Sequence, residues 1–167
     1  MAFDKAKQYL SECGYEGRIL TFDVSSATVE LAAAALNTEP CRIAKSLTFM
    51  VEDKPVMIVC AGDAKISNSG FKARFHVKAK MLNRDEVYTL IGHEVGGVCP
   101  FGINEGVTVY LDESLKRFDI IYPACGNAAS AVRLTPDELE KLAAPAGWVN
   151  VCTWQEHGSG VPDKSLP

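Results

Sequence analysis

Val56 to Ala61 reads VMIVCA with no polar interruption, and a short apolar run bounded by turn signals marks a strand buried on both faces. Just upstream, Ala44 to Val51 alternates as Ala-Lys-Ser-Leu-Thr-Phe-Met-Val, and Glu52-Asp53-Lys54 with Pro55 separates the two stretches. Together they predict a hairpin whose second strand is central in a sheet. The 13 glycines and eight prolines scattered among apolar runs exclude collagen, coiled coil and wholesale disorder. At 167 residues, one core can bury roughly 70% of the surface the unfolded chain exposes, so neither metal nor disulfide is needed for folding.

Further elements follow from local chemistry. Asp4 to Cys13 predicts a helix stopped by Gly14, with a strand over Ile19 to Phe22. Ser25 or Ser26 is placed to cap a helix carrying Glu30 in its first turn, where a carboxylate complements the helix dipole. Asn83 with Glu86 forms a capping-box pattern, with Leu82 and Val87 as a hydrophobic staple and Gly92 beyond the helix end. Thr135, Pro136 and Glu138 repeat the device with Leu134 and Leu139 as the staple. Val107 to Leu111, Asp119 to Tyr122, Ala131 to Leu134 and an edge strand at Val149 to Thr153 supply the remaining β structure. Hairpins separated by helices predict one α+β (mixed α/β) domain over 1–154, with a largely antiparallel mixed sheet flanked by helices. Residues 155–167 lack apolar periodicity and are expected to form a mobile tail.

The net charge of −4 conceals an asymmetry. Residues 65 to 84 hold Lys65, Lys72, Arg74, Lys78, Lys80 and Arg84 and no acid, so the rest of the chain carries −10. Such a segment suits a polyanion, and equally a solvated surface. Its alternation of Phe71, Ala73, Phe75, Val77 and Ala79 fits a strand, while Phe71 and Phe75 fit a helix turn. The six cysteines contain no CxxC pair and no zinc-ligand spacing, which predicts reduced thiols, no metal and a cytoplasmic setting. No apolar stretch approaches the roughly 20 residues that span a bilayer, and no signal-type segment opens the sequence.

Three features are candidates for chemistry. Lys45 shares a strand face with Leu47, Phe49 and Val51, so its ammonium either snorkels to water or stands at a cleft mouth to bind an oxygen ligand. Gly92 to Gly102 holds four glycines and a proline, a loop whose backbone can approach a ligand and aim amides at an oxyanion. Cys99 and His93 within it form a weak thiol-hydrolase pairing. His76 and His157 have no evident partner, and Asp112 suits a turn cap.

Ile-Ala-Lys-Ser (43–46), Ala-Gly-Asp (61–63), Gly-His-x-x-Gly-Gly-Val-x-Pro-Phe-Gly (92–102), Tyr-Leu-Asp-x-Ser-Leu (110–115), Tyr-Pro-Ala-Cys-Gly (122–126) and Leu-Thr-Pro-x-Glu-Leu (134–139) resemble, in order, the YbaK/prolyl-tRNA editing domain family over residues 20 to 145. The resemblance implies a partly closed, barrel-like sheet with a cleft between the lysine strand and the glycine-proline loop. It implies hydrolysis of the ester of a mischarged transfer RNA, with Lys45 and His93 catalytic and no cofactor. Ser46, Gly96, Gly97, Val98, Cys99, Pro100, Asp112 and Gly126 would bind the aminoacyl end, and Lys72, Arg74, Lys78 and Lys80 the RNA. The partners implied are the acceptor end of mischarged tRNA and an aminoacyl-tRNA synthetase, with neither membrane nor DNA. A non-catalytic tRNA- or synthetase-associated binding module is the alternative.

Overall fold

A computed structural model describes residues 2–154, so the expected tail at 155–167 lies outside the described residues. The chain opens with α1 (Ala2–Glu12), β1 (Ile19–Thr21) and α2 (Val29–Leu36), followed by the hairpin β2 (Ile43–Val51) and β3 (Lys54–Ala61). Next come β4 (Lys65–Ile66), α3 (Asn68–Phe75), α4 (Arg84–Glu86) with a π turn over Val87–Ile91, and β5 (Thr108–Asp112). The chain continues through β6 (Tyr122–Pro123), β7 (Ser130–Val132), α5 (Pro136–Ala143), β8 (Gly147–Val149) and β9 (Cys152–Thr153).

The hairpin register runs from Ala44 opposite Ala61 to Val51 opposite Lys54. Its turn is closed by Glu52 and Asp53 at φ 51° and 66°, the positive pair that matches the twist of two-residue hairpin loops. β3 is indeed central: Met57 to Ala61 are fully buried. The five-stranded sheet has the order β6-β2-β3-β5-β8 and curls into a partly closed half-barrel. Its mixed character is as expected, but where largely antiparallel pairing was expected, three of its four strand pairs are parallel and only the β2-β3 hairpin is antiparallel. β6 joins β2, β5 joins β3 and β8 joins β5, all in parallel. Parallel neighbours require long crossovers, and α3, α4 and α5 lie within those connections. Two antiparallel ribbons, β1-β7 and β4-β9, complete the fold.

The core lies between β3 and the flanking helices. α1 buries Ala6 and Leu10, one turn apart, while Tyr9 stacks on Phe101 with centroids 6.5 Å apart. A chain of rings, Phe49–Phe71–Phe75–Tyr110, ties β2 to β5 through α3 with centroid spacings of 4.9, 4.7 and 5.2 Å. The basic segment is therefore helical where Phe71 and Phe75 point inward, and after His76 it forms no helix or strand up to an isolated bridge between Met81 and Phe49.

Both capping boxes form as expected at Asn83–Glu86 and Thr135–Glu138. The cap of α2 is a correction: Thr28, not Ser25 or Ser26, accepts from the Leu31 N–H at 3.1 Å. The predicted strand Val149 to Thr153 divides into β8 and β9, because Val151 N–H turns aside to the Asp112 carboxylate at 2.9 Å. Asp119 lies outside β6 and pairs with Arg42 at 2.8 Å. Replacing the cap in Thr135→Ala removes the acceptor for the Glu138 N–H. The variant is expected to lose about 1 kcal/mol of stability, seen as a lower urea midpoint at an unchanged m-value.

Candidate active site

β2 is paired along one edge by β3, but only at its ends along the other. Ile43 and Ala44 meet β6; further on, Leu82 N–H donates to Thr48 O at 3.1 Å and Met50 N–H to Lys80 O at 2.9 Å. Between these two partners the edge is open among the described residues. The N–H and C=O of a strand residue share one edge and alternate along the strand. Ser46, in step with Thr48 and Met50, therefore directs its main-chain groups into the opening.

A hollow of about 370 Å³ occupies this gap. Lys45, Ser46 and Leu47 line it together with Gly96 and Val98, and Ser26 to Val29, Tyr122, Ser130 and Ala131 are among its other lining residues. The lysine and the glycine loop thus line one cavity. Lys45 is half-buried, and its ammonium donates to Gly62 O at 3.3 Å. The bend carrying that carbonyl is clamped. A Cβ on Gly62 would fall on the Pro40 carbonyl oxygen, and Asp63 accepts two hydrogen bonds from Arg117 at 2.6 and 3.1 Å. Arg117 also donates to Ser114 O at 2.9 Å and lies over Phe118 and Trp154. Ser114 Oγ in turn accepts from Ala61 N–H at 3.0 Å.

The loop 92–102 is braced from beneath. Gly96 takes φ 102°, with its open side against Ala27 and Ala128, and a Cβ on Gly97 would collide with the Asn127 backbone. His93 and Cys99 are fully buried and do not line the hollow. The Cys99 N–H donates to His93 Nδ1 at 3.2 Å, which requires a ring unprotonated at that nitrogen. Burial, helped by the positive charge of Lys5, pushes the His93 pKa down to about 4, while burial pushes the Cys99 thiol far above its ordinary range. A buried imidazole held neutral beside a buried thiol held protonated is a brace, and the thiol-hydrolase pairing is set aside.

Several expectations change on the same grounds. His93 belongs to the loop's support, not to the groups touching the hollow. Gly97, Cys99 and Pro100 do not line it. Asp112 is buried, accepting from the Ser114 and Val151 N–H groups at 2.9 Å each. Gly126, at φ 88°, lets the chain pass the Ala2 carbonyl. Ser46, Gly96 and Val98 do line the cavity. Lys72, Lys78 and Lys80 are exposed, and Lys80 directly precedes Met81 and Leu82 of the hollow's wall. Arg74 stacks over Phe75 and Tyr110 at 5.1 and 5.2 Å. Ser26, Tyr122 and Ser130 were missed as site residues: each comes from a different stretch, and although Tyr122 opens the 122–126 motif, neither serine stands in one.

The buried imidazole makes stability pH-dependent. Its folded pKa, about 4, lies below the ordinary 6.5, so the unfolded chain binds the proton first as the pH falls. The contribution is complete above about pH 6.5 and is lost on acidification toward pH 4, on the order of 3 kcal/mol. Unfolding of His93→Gln across this range should lack that component; profiles parallel to the wild type would contradict the neutral buried ring.

Comparison with known proteins places these features in context. The family model described as the aminoacyl-tRNA editing domain matches residues 24–142. The uncharacterized protein YwhH of Bacillus subtilis (strain 168) is 45% identical over 153 residues, spanning 91% of this chain and 98% of that protein. The proline–tRNA ligase of Geobacillus sp. (strain WCH70) is 30% identical over 100 residues, 59% of this chain but 17% of the ligase. A crystal structure described as a candidate trans-editing enzyme for prolyl tRNA synthetase superposes with a TM-score of 0.79 at 26% identity, covering 87% of this chain and 94% of that one.

Proposed function

This chain belongs to the aminoacyl-tRNA editing domain family, and from that premise we propose that it hydrolyses the ester of a mischarged transfer RNA in trans. The observation that carries the reading is the single hollow shared by Lys45, the open edge at Ser46 and the loop at Gly96 and Val98. An aminoacyl ester is already activated. Its hydrolysis requires positioning of a nucleophile and stabilisation of negative charge on the carbonyl oxygen. Water, oriented by the neighbouring ribose hydroxyl, adds to the carbonyl carbon and gives up a proton. The bond to the ribose oxygen then breaks, and that oxygen takes up the proton.

The residues divide this work. Lys45, steadied by Gly62 O, anchors the terminal phosphate or ribose. Two loop amides are already engaged, Gly97 N–H by Glu94 O at 3.0 Å and Cys99 N–H by His93. The oxyanion therefore falls to the amides of Gly96 and Val98, while the main chain of Ser46 holds the polar atoms of the aminoacyl group. Lys72, Lys78 and Lys80 grip the RNA through phosphate contacts that carry no sequence information. Activity on transfer RNA belongs with the cytoplasm; among the described residues, no helix is long and apolar enough to cross a membrane.

A panel of transfer RNAs mischarged with alanine, serine, threonine and cysteine tests the proposal. Lys45→Ala is expected to cut deacylation by about 100-fold or more while keeping the thermal midpoint, and full activity in that variant would refute the role of Lys45. Retention of RNA by the wild type without release of amino acid would make the domain a capture module instead. Charge reversal at Lys72, Lys78 and Lys80 should weaken RNA binding and reduce its salt slope by about 0.7 to 0.9 for each phosphate no longer neutralised. Cleavage of a minimal aminoacyl-adenosine ester should be spared in the same variant.

A further inference from the structure

Four side-chain polar atoms are buried without a hydrogen-bond partner among the described residues: Ser26 Oγ, Ser46 Oγ, Ser130 Oγ and His93 Nε2. The three serines all line the one hollow. Folded proteins leave few buried polar atoms unpaired, so three around a single cavity are not expected from packing alone. The backbone of Ser26 and Ser130 is committed. Ser26 N–H donates to Ala128 O at 2.6 Å, and Ser130 pairs with Thr21 in the β1-β7 ribbon. The three hydroxyls, together with the main chain of Ser46, have hydrogen-bonding capacity to spare. Ser26 and Ser130 are only 7% and 2% exposed, and each turns about one staggered rotor to meet a ligand.

The rest of the wall defines what those hydroxyls can meet. Val29, Ala32, Val98 and Ala131 give it an apolar surface, and among the described residues no acidic one lines it. A charged side chain would enter without a counter-ion, since Lys45 is engaged by the nucleotide end. A purely aliphatic one would leave the serines unpaired. We propose that Ser26, Ser46 and Ser130 are the specificity-determining residues of the hollow and select aminoacyl esters whose small, uncharged side chain bears a hydroxyl over their aliphatic isosteres. The selection rests on the deacylase reading above. It uses an asymmetry of polar sites: a site built to hydrogen-bond a hydroxyl discriminates strongly against the analogue lacking it.

The experiment compares kcat/KM for seryl against alanyl, and threonyl against valyl, esters of one transfer RNA. The proteins are the wild type, Ser26→Ala, Ser130→Ala, Ser46→Ala and the Ser26/Ser130 double variant. The wild type is expected to favour each hydroxyl-bearing ester by at least about tenfold, with the ratio collapsing toward unity in the double variant. Calorimetric binding of non-hydrolysable 3′-seryl-amido and 3′-alanyl-amido adenosine to the wild type supplies a readout that needs no turnover. Preference for the seryl analogue with no ester cleaved would support the serines' role and overturn the deacylase reading. Cleavage or binding without discrimination, or a preference that survives the double substitution, would overturn the inference while leaving the deacylase reading standing.

Discussion

A β-strand must satisfy hydrogen bonds along both edges, and β2 does so completely along only one. β3 covers one edge from end to end, while β6 and the segment around Met81 divide the other and leave Ser46 between them. The site is organised around that interruption. The curled sheet keeps the opening from becoming a bare edge by folding the loop at Gly96 and the β1-β7 ribbon against it. A surface that would otherwise invite strand addition becomes a walled hollow with main-chain groups on one side and a cation at its margin.

The groups that look reactive are separated into two populations by burial. His93, Cys99 and Asp112 are fully buried, and the hydrogen bonds they make go to the chain itself, bracing the glycine loop and the junction between β8 and β9. Lys45 retains access to the hollow, and its position is held indirectly. The Asp63–Arg117 pair and the tight passage of Gly62 beneath Pro40 place the carbonyl on which the ammonium rests. Desolvation explains the division: a fully buried imidazole is held neutral and a buried thiol protonated, which suits them to support and removes them from proton transfer near neutral pH.

Much of the fold was legible where its determinants lie within a few residues of one another. The two capping boxes, the hairpin and the buried strand β3 are local patterns, and each appears as read. The α2 cap was misplaced because Ser25, Ser26 and Thr28 are all competent caps, and only the path of the ribbon, which takes Ser26 N–H to Ala128, decides among them. The split between β8 and β9 depends on Asp112, 39 residues from the amide it captures. Of the site, Lys45, Ser46, Gly96 and Val98 were visible as motif residues. Ser26 and Ser130 were not, because a serine in a loop or short strand has no pattern until its neighbours in space are known.

The sequence by itself determined the kinds of element outside the basic segment, their order and the residues able to supply a cation and a flexible amide-bearing loop. These properties are carried by helix caps, by the two-residue period of strands and by the stereochemistry of glycine and proline, all of which act over a few bonds. Only the tertiary structure decided which pairs run parallel, which polar groups are sealed away and which face a common cavity. Those outcomes depend on crossovers that bring β5, β6 and β8 beside the hairpin. Burial changes the chemistry of a histidine or a thiol through the loss of water, and the extent of that loss is set by distant parts of the chain.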